Sequence, residues 1–421
     1  MIEGTIFLRS VPEEMHTGTS RAYSTDHKPT KPRCSRSYSP GVSYATVPPF
    51  PRPVRKVGAP LGSIIALGTV AALILGLLTA VNPGGTALGL VLSTTAMALV
   101  LLCYLWLDRW EPEPPRLLIM AFLWGSSVAV LLSVAVETVI ERTFGDGGDQ
   151  PAFATVAIGA PLVEEAAKGT FLLLMMTGRR RNELNTLTDC LVYAGFTAVG
   201  FSWLENIFYI ASGETLGGSL AIAGMRLLMG PFAHPLFTSM FAIGVYCALR
   251  RRSLAGRLAC LLAGYLVAVL VHGLWNGSAM LGAGTYLGVY VLWMMPVFAL
   301  AIVLALTSRS RERHIIAGKL PALVAHGLVT PGEATWLGSL QGRKLAVASA
   351  SRYGGRAAAS AVKAFVLQVV ALAYTRDRID RGFGDARVYA LQEEEARGVA
   401  AARARAGMAL SVLNGHRFPV P

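Results

Sequence analysis

The chain has 421 residues and a formal net charge of +13, with 53% hydrophobic and only 15% charged residues. Soluble globular domains carry about 25% charged residues, so this composition excludes an ordinary soluble domain and indicates a membrane protein. Most basic residues lie in short clusters beside apolar runs, as in the cytoplasmic flanks of membrane spans, so we expect no nucleic-acid partner.

The N-terminal region, residues 1–60, is rich in Pro, Ser, Arg and Lys, and we interpret it as a disordered basic cytoplasmic tail. Residues 61–307 then contain eight apolar runs, each close to or above the ~20 residues that a helix needs to cross a bilayer. The sequence therefore predicts an all-α, polytopic membrane helix bundle of about eight spans. The predicted spans are 61–81, 86–107, 117–140, 152–176, 190–212, 231–249, 258–281 and 286–307.

The loops between these runs alternate between basic loops and non-basic or acidic ones. Because basic loops favour the cytoplasmic side, the alternation predicts a multi-pass protein of the plasma membrane with both termini in the cytoplasm. One segment, 219–230, does not fit a full span, since it is short, contains Arg226 and runs into Pro231. We expect a half-helix or re-entrant piece there, with Arg226 as an interfacial anchor.

The C-terminal region, residues 308–421, is rich in Ala and Arg and shows helical periodicity. Its most apolar stretch, 361–374, is too short to span a bilayer and carries Lys363 and Gln368. We therefore expect a small cytoplasmic helical domain here, in preference to a ninth span.

Polar side chains interrupt four successive apolar segments. A charged side chain at the bilayer centre costs about 2.5–3.5 kcal/mol on insertion scales, so such residues need a polar cavity or internal partners. Helical spacing places His272 and Asn276 on one face, and likewise Glu164 and Lys168. The loop orientation puts all of these groups between the bilayer midplane and the outer surface, which favours one shared functional cavity. The candidate site residues are Glu164, Glu165, Lys168, Glu205, Asn206, His234, His272 and Asn276.

Activation of a water molecule is the chemistry that suits this set. A buried carboxylate beside another carboxylate can act as a general base near neutral pH. Histidines with a carboxylate can hold a metal such as zinc, and histidine with asparagine can instead donate hydrogen bonds to an oxyanion. The sequence leaves both roles open. Taken singly, Lys168 is equally well explained as a structural counter-charge, and His234 as an interhelical hydrogen-bonding residue.

The ordered motifs resemble those of the PrsW-type intramembrane proteases, which are related to the CAAX prenyl-protease superfamily. The resemblance covers roughly residues 61–307 and includes the loop of sequence DRWEPEPP that begins at Asp108. The basic residue Lys168 and the acidic second motif at Glu205 favour the PrsW branch over the CAAX branch. The motifs are Glu164-Glu165-x-x-Lys168, Phe201-x-x-x-Glu205-Asn206, His234-Pro235 and His272-x-x-x-Asn276.

This resemblance implies a metalloprotease that hydrolyses peptide bonds of membrane-tethered proteins; the best-known family role is the first cleavage of an anti-sigma factor. The implied cofactor is Zn²⁺, with a metal-free glutamate and histidine mechanism left open. The implied partners are membrane lipid and a single-span membrane protein substrate. The roles carried over are general base for Glu164 or Glu165, metal ligand or polarising group for Glu205, His234 and His272, and a steadying role for Asn276.

Two rival functions come from other classes. Buried Glu, Lys and His also build ion relays, so a proton- or ion-coupled transporter is one alternative, although the motif set does not repeat between the two halves of the chain. The other alternative is a non-catalytic membrane scaffold that binds a single-span partner through the same groove.

Overall fold

The computed structural model describes residues 58–144 and 152–414, and all regular structure in these residues is helical. The predicted all-α architecture is thereby confirmed. Residues 1–57, which form nearly all of the predicted basic tail, lie outside the described residues, so that prediction stays untested.

The described residues form fourteen α-helices, joined in several places by single π-helical turns. Such turns occur at Gly125–Ala129, Thr155–Gly159, Gly224–Met229 and Tyr290–Met294. The helices are α1 (Leu61–Val81), α2 (Pro83–Leu107), α3 (Pro115–Trp124), α4 (Val130–Phe144), α5 (Ala160–Met175), α6 (Leu187–Ala211), α7 (Leu216–Ala223), α8 (Ala233–Leu249), α9 (Leu254–Met280), α10 (Ala283–Val289), α11 (Met295–Ala325), α12 (Pro331–Leu337), α13 (Leu340–Arg378) and α14 (Ala386–Asn414).

Eight helical stretches of the described chain are long and apolar enough to cross a membrane, and all but one overlap a predicted span. The exception is Leu340–Phe383, in the region predicted to be cytoplasmic. Conversely, the predicted span 152–176 is not among the eight, because α5 itself has only 16 residues and contains three charged side chains. Helical conformation nevertheless runs without a break from residue 153 to residue 175, through a π-helical turn.

The apolar side of α13 packs against protein. This helix breaks at Gly355, where φ is +68°, a value that L-residues rarely adopt. Beyond the break, Phe365 and Val369 are buried in a core that also contains residues of α11, α12 and α14. Helix packing therefore accounts for the apolar residues of α13 without a bilayer, and the boundary between membrane and cytoplasmic domains stays a prediction.

Helix α6 lies at the centre of the bundle. Nearly all its side chains are buried, and it packs against α2, α3, α5 and α8. Its approach to α3 is so close that a Cβ atom on Gly200 would lie 1.9 Å from the carbonyl oxygen of Phe122. Only glycine fits there, because any Cβ atom would overlap the neighbouring backbone. The second motif of the sequence, at Glu205 and Asn206, therefore sits on the most enclosed helix.

Both ends of α6 are fixed by side-chain hydrogen bonds. At its start, the Thr186 hydroxyl accepts from the backbone N–H of Asp189, whose carboxylate accepts from the N–H of Thr186, which forms a capping box. At its end, the carbonyl of Ala211 accepts a 2.7 Å hydrogen bond from Asn82 Nδ2, and Asn82 also caps α2. These contacts hold the position of the motif along the bundle axis.

The segment before α8 is short, as expected. Helix α7 has eight residues and continues into the π-helical turn Gly224–Met229, and α8 begins only at Ala233. This arrangement brings Arg226 to the level of the polar residues of α6, which matters for the site.

Candidate active site

Four helices bring the predicted site residues together. Helix α5 supplies Glu164, Glu165 and Lys168, whereas the other residues come from α6, α8 and α9. Those other residues are Glu205 and Asn206 on α6, His234 at the start of α8, and His272 and Asn276 on α9. Packing of α5 against α6, α8 and α9 therefore assembles the cluster from groups separated by more than one hundred positions in the chain.

Lys168 lies at the centre of the cluster and is completely buried. Its Nζ atom is 2.7 Å from Glu165 Oε1 and 3.1 Å from Glu164 Oε2. The same atom is 3.0 Å from His234 Nδ1 and 4.2 Å above the ring of Phe201. The ammonium group thus offsets the charge of both carboxylates in a site from which water is largely excluded.

Glu165 is enclosed by protein on all sides. In addition to Lys168, it contacts His272 Nδ1 at 3.0 Å and accepts a 2.9 Å hydrogen bond from the hydroxyl of Thr238. The ring of Phe237 stacks on His272 with 4.4 Å between centroids. Glu165 therefore orients His272 and has no exposed surface with which to meet a substrate.

Glu164 differs from its neighbour because it lines a cavity of about 1300 Å³. Its Oε2 atom lies 3.7 Å from His234 Nδ1 and 3.8 Å from His272 Nε2. Glu205, Asn206, His234 and Asn276 also line this cavity, whereas Glu165 and Lys168 do not. Of the two carboxylates that the sequence offered as a general base, Glu164 is the one a substrate or water in the cavity can reach.

On the other side of His234, a second carboxylate holds the ring. Glu205 Oε2 lies 2.8 Å from His234 Nε2 and also pairs with the guanidinium of Arg226. Arg226 Nε donates a 2.7 Å hydrogen bond to Asn206 Oδ1. Glu205 is therefore committed to Arg226 and His234, and Asn206 positions Arg226.

The interpretation of Arg226 as an interfacial anchor is incomplete, because its side chain is only one-quarter exposed and its guanidinium pairs with Glu205 and lies 4.1 Å from the ring of Tyr209. Sequence reasoning missed this contact because the partner lies on another helix. Thr238 was missed as well, although it follows His234 by one helical turn, a spacing that could have indicated it.

Asn276 lies at the edge of the cluster. Its Nδ2 atom donates a 3.3 Å hydrogen bond to the carbonyl oxygen of Val156, in the π-helical turn before α5. This bond connects α9 to the π-helical turn that leads into α5.

Glu164, His234 and His272 form a possible metal-binding set, with one ligand atom from each lying within 4.8 Å of the others. Each imidazole uses its second nitrogen to contact a carboxylate, Glu205 for His234 and Glu165 for His272. This carboxylate–histidine–metal pattern supports many metal sites, and two histidines with one glutamate is a common catalytic zinc set. The donor chemistry fits zinc, with Glu164 as third ligand where the sequence suggested Glu205.

Known proteins are similar to this chain over the region that contains these residues. Residues 113–301 match the family model described as "PrsW family intramembrane metalloprotease". A relative named "Protease PrsW" from Geobacillus kaustophilus is 28% identical over 206 residues, which cover 48% of this chain and 86% of the relative. The protein of the same name from Bacillus subtilis is 26% identical over 203 residues, covering 48% and 85%. No solved structure gives a significant match.

Proposed function

We propose that this chain, which is a PrsW-type intramembrane protease, uses Glu164 to contact the water that attacks the peptide bond. The observation that carries the proposal is the different exposure of the two adjacent carboxylates. Glu164 lines the cavity, whereas Glu165 is enclosed by Lys168, Thr238 and His272.

The hydrogen-bond pattern supports neutral imidazoles that point towards Glu164. Lys168 Nζ can only donate, so His234 Nδ1 accepts from it, and the Nε2–H of His234 then donates to Glu205. In the same way, the Nδ1–H of His272 donates to Glu165 and leaves the Nε2 lone pair towards the cluster. A water held between Glu164 and these rings can transfer a proton to the Glu164 carboxylate.

We further propose that zinc is held by one carboxylate oxygen of Glu164, by His272 and by His234. The Nδ1 lone pair of His234 would then bind the metal in place of the Lys168 N–H, and the other oxygen of Glu164 would stay available to the water. Zinc there would supply Lewis-acid activation, lowering the pKa of a bound water to about 7. Glu165 and Glu205 would orient the two imidazoles from behind. Lys168 would offset the remaining negative charge of the paired carboxylates.

A single-span membrane protein is the substrate that the cavity supports best, with an anti-sigma factor as the family example. The cavity wall includes apolar side chains that are also exposed on the outside of the bundle, such as Leu77 at 67%, Val134 at 55% and Leu287 at 50%. Since these residues belong to α1, α4 and α10, a substrate helix can approach from the lipid between these helices.

Cleavage of tagged single-span substrates, a bacterial anti-sigma factor among them, tests the activity in proteoliposomes. We expect wild type and the exposed control Glu214→Gln to cleave, and Glu164→Gln to be inactive. Metal analysis should give one zinc per wild-type chain and much less in His272→Ala. Full activity without bound metal would contradict the zinc proposal alone, whereas full activity of Glu164→Gln would contradict the catalytic role.

The same vesicles separate the protease from its rivals. Substrate-dependent ion flux would favour a transporter, and tight binding without cleavage would favour a scaffold.

The proposed location in the plasma membrane, with both termini cytoplasmic, rests on the alternation of basic loops. Labelling of single cysteines at residues 214 and 352 from either side of the membrane tests it, because we expect the two positions to react from opposite sides.

A further inference from the structure

Helix α4 carries a row of polar residues that the mechanism does not use. Ser133, Glu137 and Glu141 follow one another at intervals of four, so they lie on one face of the helix. All three line the cavity that contains Glu164 and His234. We call these three residues the α4 polar row.

Each member of the α4 polar row has a buried oxygen without a hydrogen-bond partner. These atoms are Ser133 Oγ, Glu137 Oε1 and Glu141 Oε2, and Ser133 is only 2% exposed. A buried polar group left without a partner is unfavourable, because it has given up its hydrogen bonds to water. The carboxylates of Glu165 and Glu205, by contrast, are bound by neighbouring cations and rings. The unpaired oxygens therefore point to a ligand with hydrogen-bond donors.

The charge of the cavity specifies the kind of donor. Four carboxylates line it, against the guanidinium groups of Arg142 and Arg226, and Arg226 is already paired with Glu205. Glu137 also interacts electrostatically with Glu164 and Glu205, which carry the same charge, and more weakly with Lys168, which carries the opposite charge. A cation beside Glu137 would relieve that repulsion and satisfy the unpaired oxygens together.

We propose that the α4 polar row binds the side chain of a lysine or arginine in the substrate, close to the scissile bond. The row spans eight positions, or about 12 Å at 1.5 Å per residue of helix. An extended peptide covers that distance with about four residues at ~3.3 Å each. The row can therefore accept a basic residue at any of about four neighbouring substrate positions, and juxtamembrane Lys and Arg residues are common near the end of a span.

This inference rests on the proposed protease function, so its test starts with binding, which needs no turnover. The probe is a fluorescent single-span peptide that carries one lysine near the cleavage site, compared with a peptide that has norleucine there. Norleucine keeps the length of the side chain and removes only the charge. We expect full-length Glu165→Gln protein in nanodiscs to bind the lysine peptide at least ten times more tightly.

Protein variants then locate the site. Each substitution is added to the Glu165→Gln protein. Glu137→Gln should remove most of the preference for the lysine peptide, and Glu141→Gln and Ser133→Ala should each remove part of it. The exposed control Glu214→Gln should leave the preference unchanged. Adding Glu137→Lys should instead favour a peptide with glutamate at the same position. A variant counts only when it binds the norleucine peptide as tightly as its Glu165→Gln parent, which shows that it is folded.

Two outcomes would overturn the inference while leaving the protease function intact. One is equal binding of the lysine and norleucine peptides together with wild-type cleavage of both. The other is an equal loss of turnover for both peptides in Glu137→Gln, which would make Glu137 part of the general catalytic machinery. Cleavage by Glu164→Gln would instead contradict the proposed catalytic role, and the difference in binding would still decide the inference.

Discussion

Glu165 in the membrane region and Glu333 in the C-terminal region are both completely buried carboxylates, yet their surroundings differ. Glu333 caps its own helix by accepting from the N–H of Thr330 and forms a two-pronged pair with Arg403 of α14. Glu333 does not line the 1300 Å³ cavity. Glu165 instead holds His272, which belongs to a possible metal-binding set beside a 1300 Å³ cavity.

The comparison teaches that burial of a charge does not by itself indicate catalysis. Both carboxylates are paired, as buried charges must be. What distinguishes the candidate cluster is that its outermost members, Glu164 and His234, line a cavity. The C-terminal pair joins two helices and does not line that cavity.

The largest expected effect comes from removing charge in the catalytic cluster. We expect Glu164→Gln to lower the rate of cleavage by about 1000-fold or more, since general-base catalysis contributes 10²–10⁴-fold. Glu165→Gln should lower it by about 100-fold, because Glu165 orients His272 from behind. The free energy of unfolding should fall by less than the activation free energy of cleavage rises, because Lys168 keeps one carboxylate partner in either variant. Initial rates and apparent melting temperatures measured on the same preparations would check this. Unchanged rates in both variants would contradict the assignment of the site.

A smaller loss of activity is expected from Arg226→Gln. The substitution removes the ion pair with Glu205 and the hydrogen bond to Asn206, so His234 loses a fixed partner for its ring. We expect about a 100-fold loss of kcat, similar to the loss of a supporting residue behind a metal ligand. The matched control is Arg405→Gln, whose side chain is exposed. Equal activity of the two variants would show that Arg226 does not position the site.

The C-terminal carboxylate should behave in the opposite way. We expect Glu333→Gln to lower stability by about 3 kcal/mol, because breaking a buried ion pair leaves one partner uncompensated. Activity per folded molecule should remain near that of wild type. The control is Glu394→Gln, which removes an exposed pair with Arg179 and should change stability by less than about 1 kcal/mol. Loss of turnover in folded Glu333→Gln would contradict this contrast.

The smallest effect concerns the hydroxyl of Thr238. Thr238→Val keeps the shape of the side chain but removes the 2.9 Å hydrogen bond to Glu165. Since one such bond contributes about 1.5–3 kcal/mol when its acceptor is charged, we expect at least a ten-fold loss of kcat. Thr197→Val is the control, because the buried hydroxyl of Thr197 bonds only to the carbonyl of Tyr193 in its own helix. A similar small loss in both variants would indicate a packing effect alone.

Much of the fold could be predicted from the sequence because the signals are local. Apolar runs of spanning length indicated helices that the structure confirms, and the polar motifs stood out against them. The span around α5 is harder to recognise by hydropathy, since its three charged side chains lower the mean hydropathy. The apolar part of α13 presented the reverse difficulty, because a helix buried in a protein core resembles a short membrane helix.

The sequence by itself determined the all-α class, the order of the membrane helices and the residues that meet in the cluster. Length, hydropathy and the cost of burying charge are properties of short segments, so no partner has to be known. Only the tertiary structure decided which of Glu164 and Glu165 faces the cavity, and that Arg226 pairs with Glu205. Neighbouring residues on a helix point about 100° apart, and what each one meets depends on the helices packed around it.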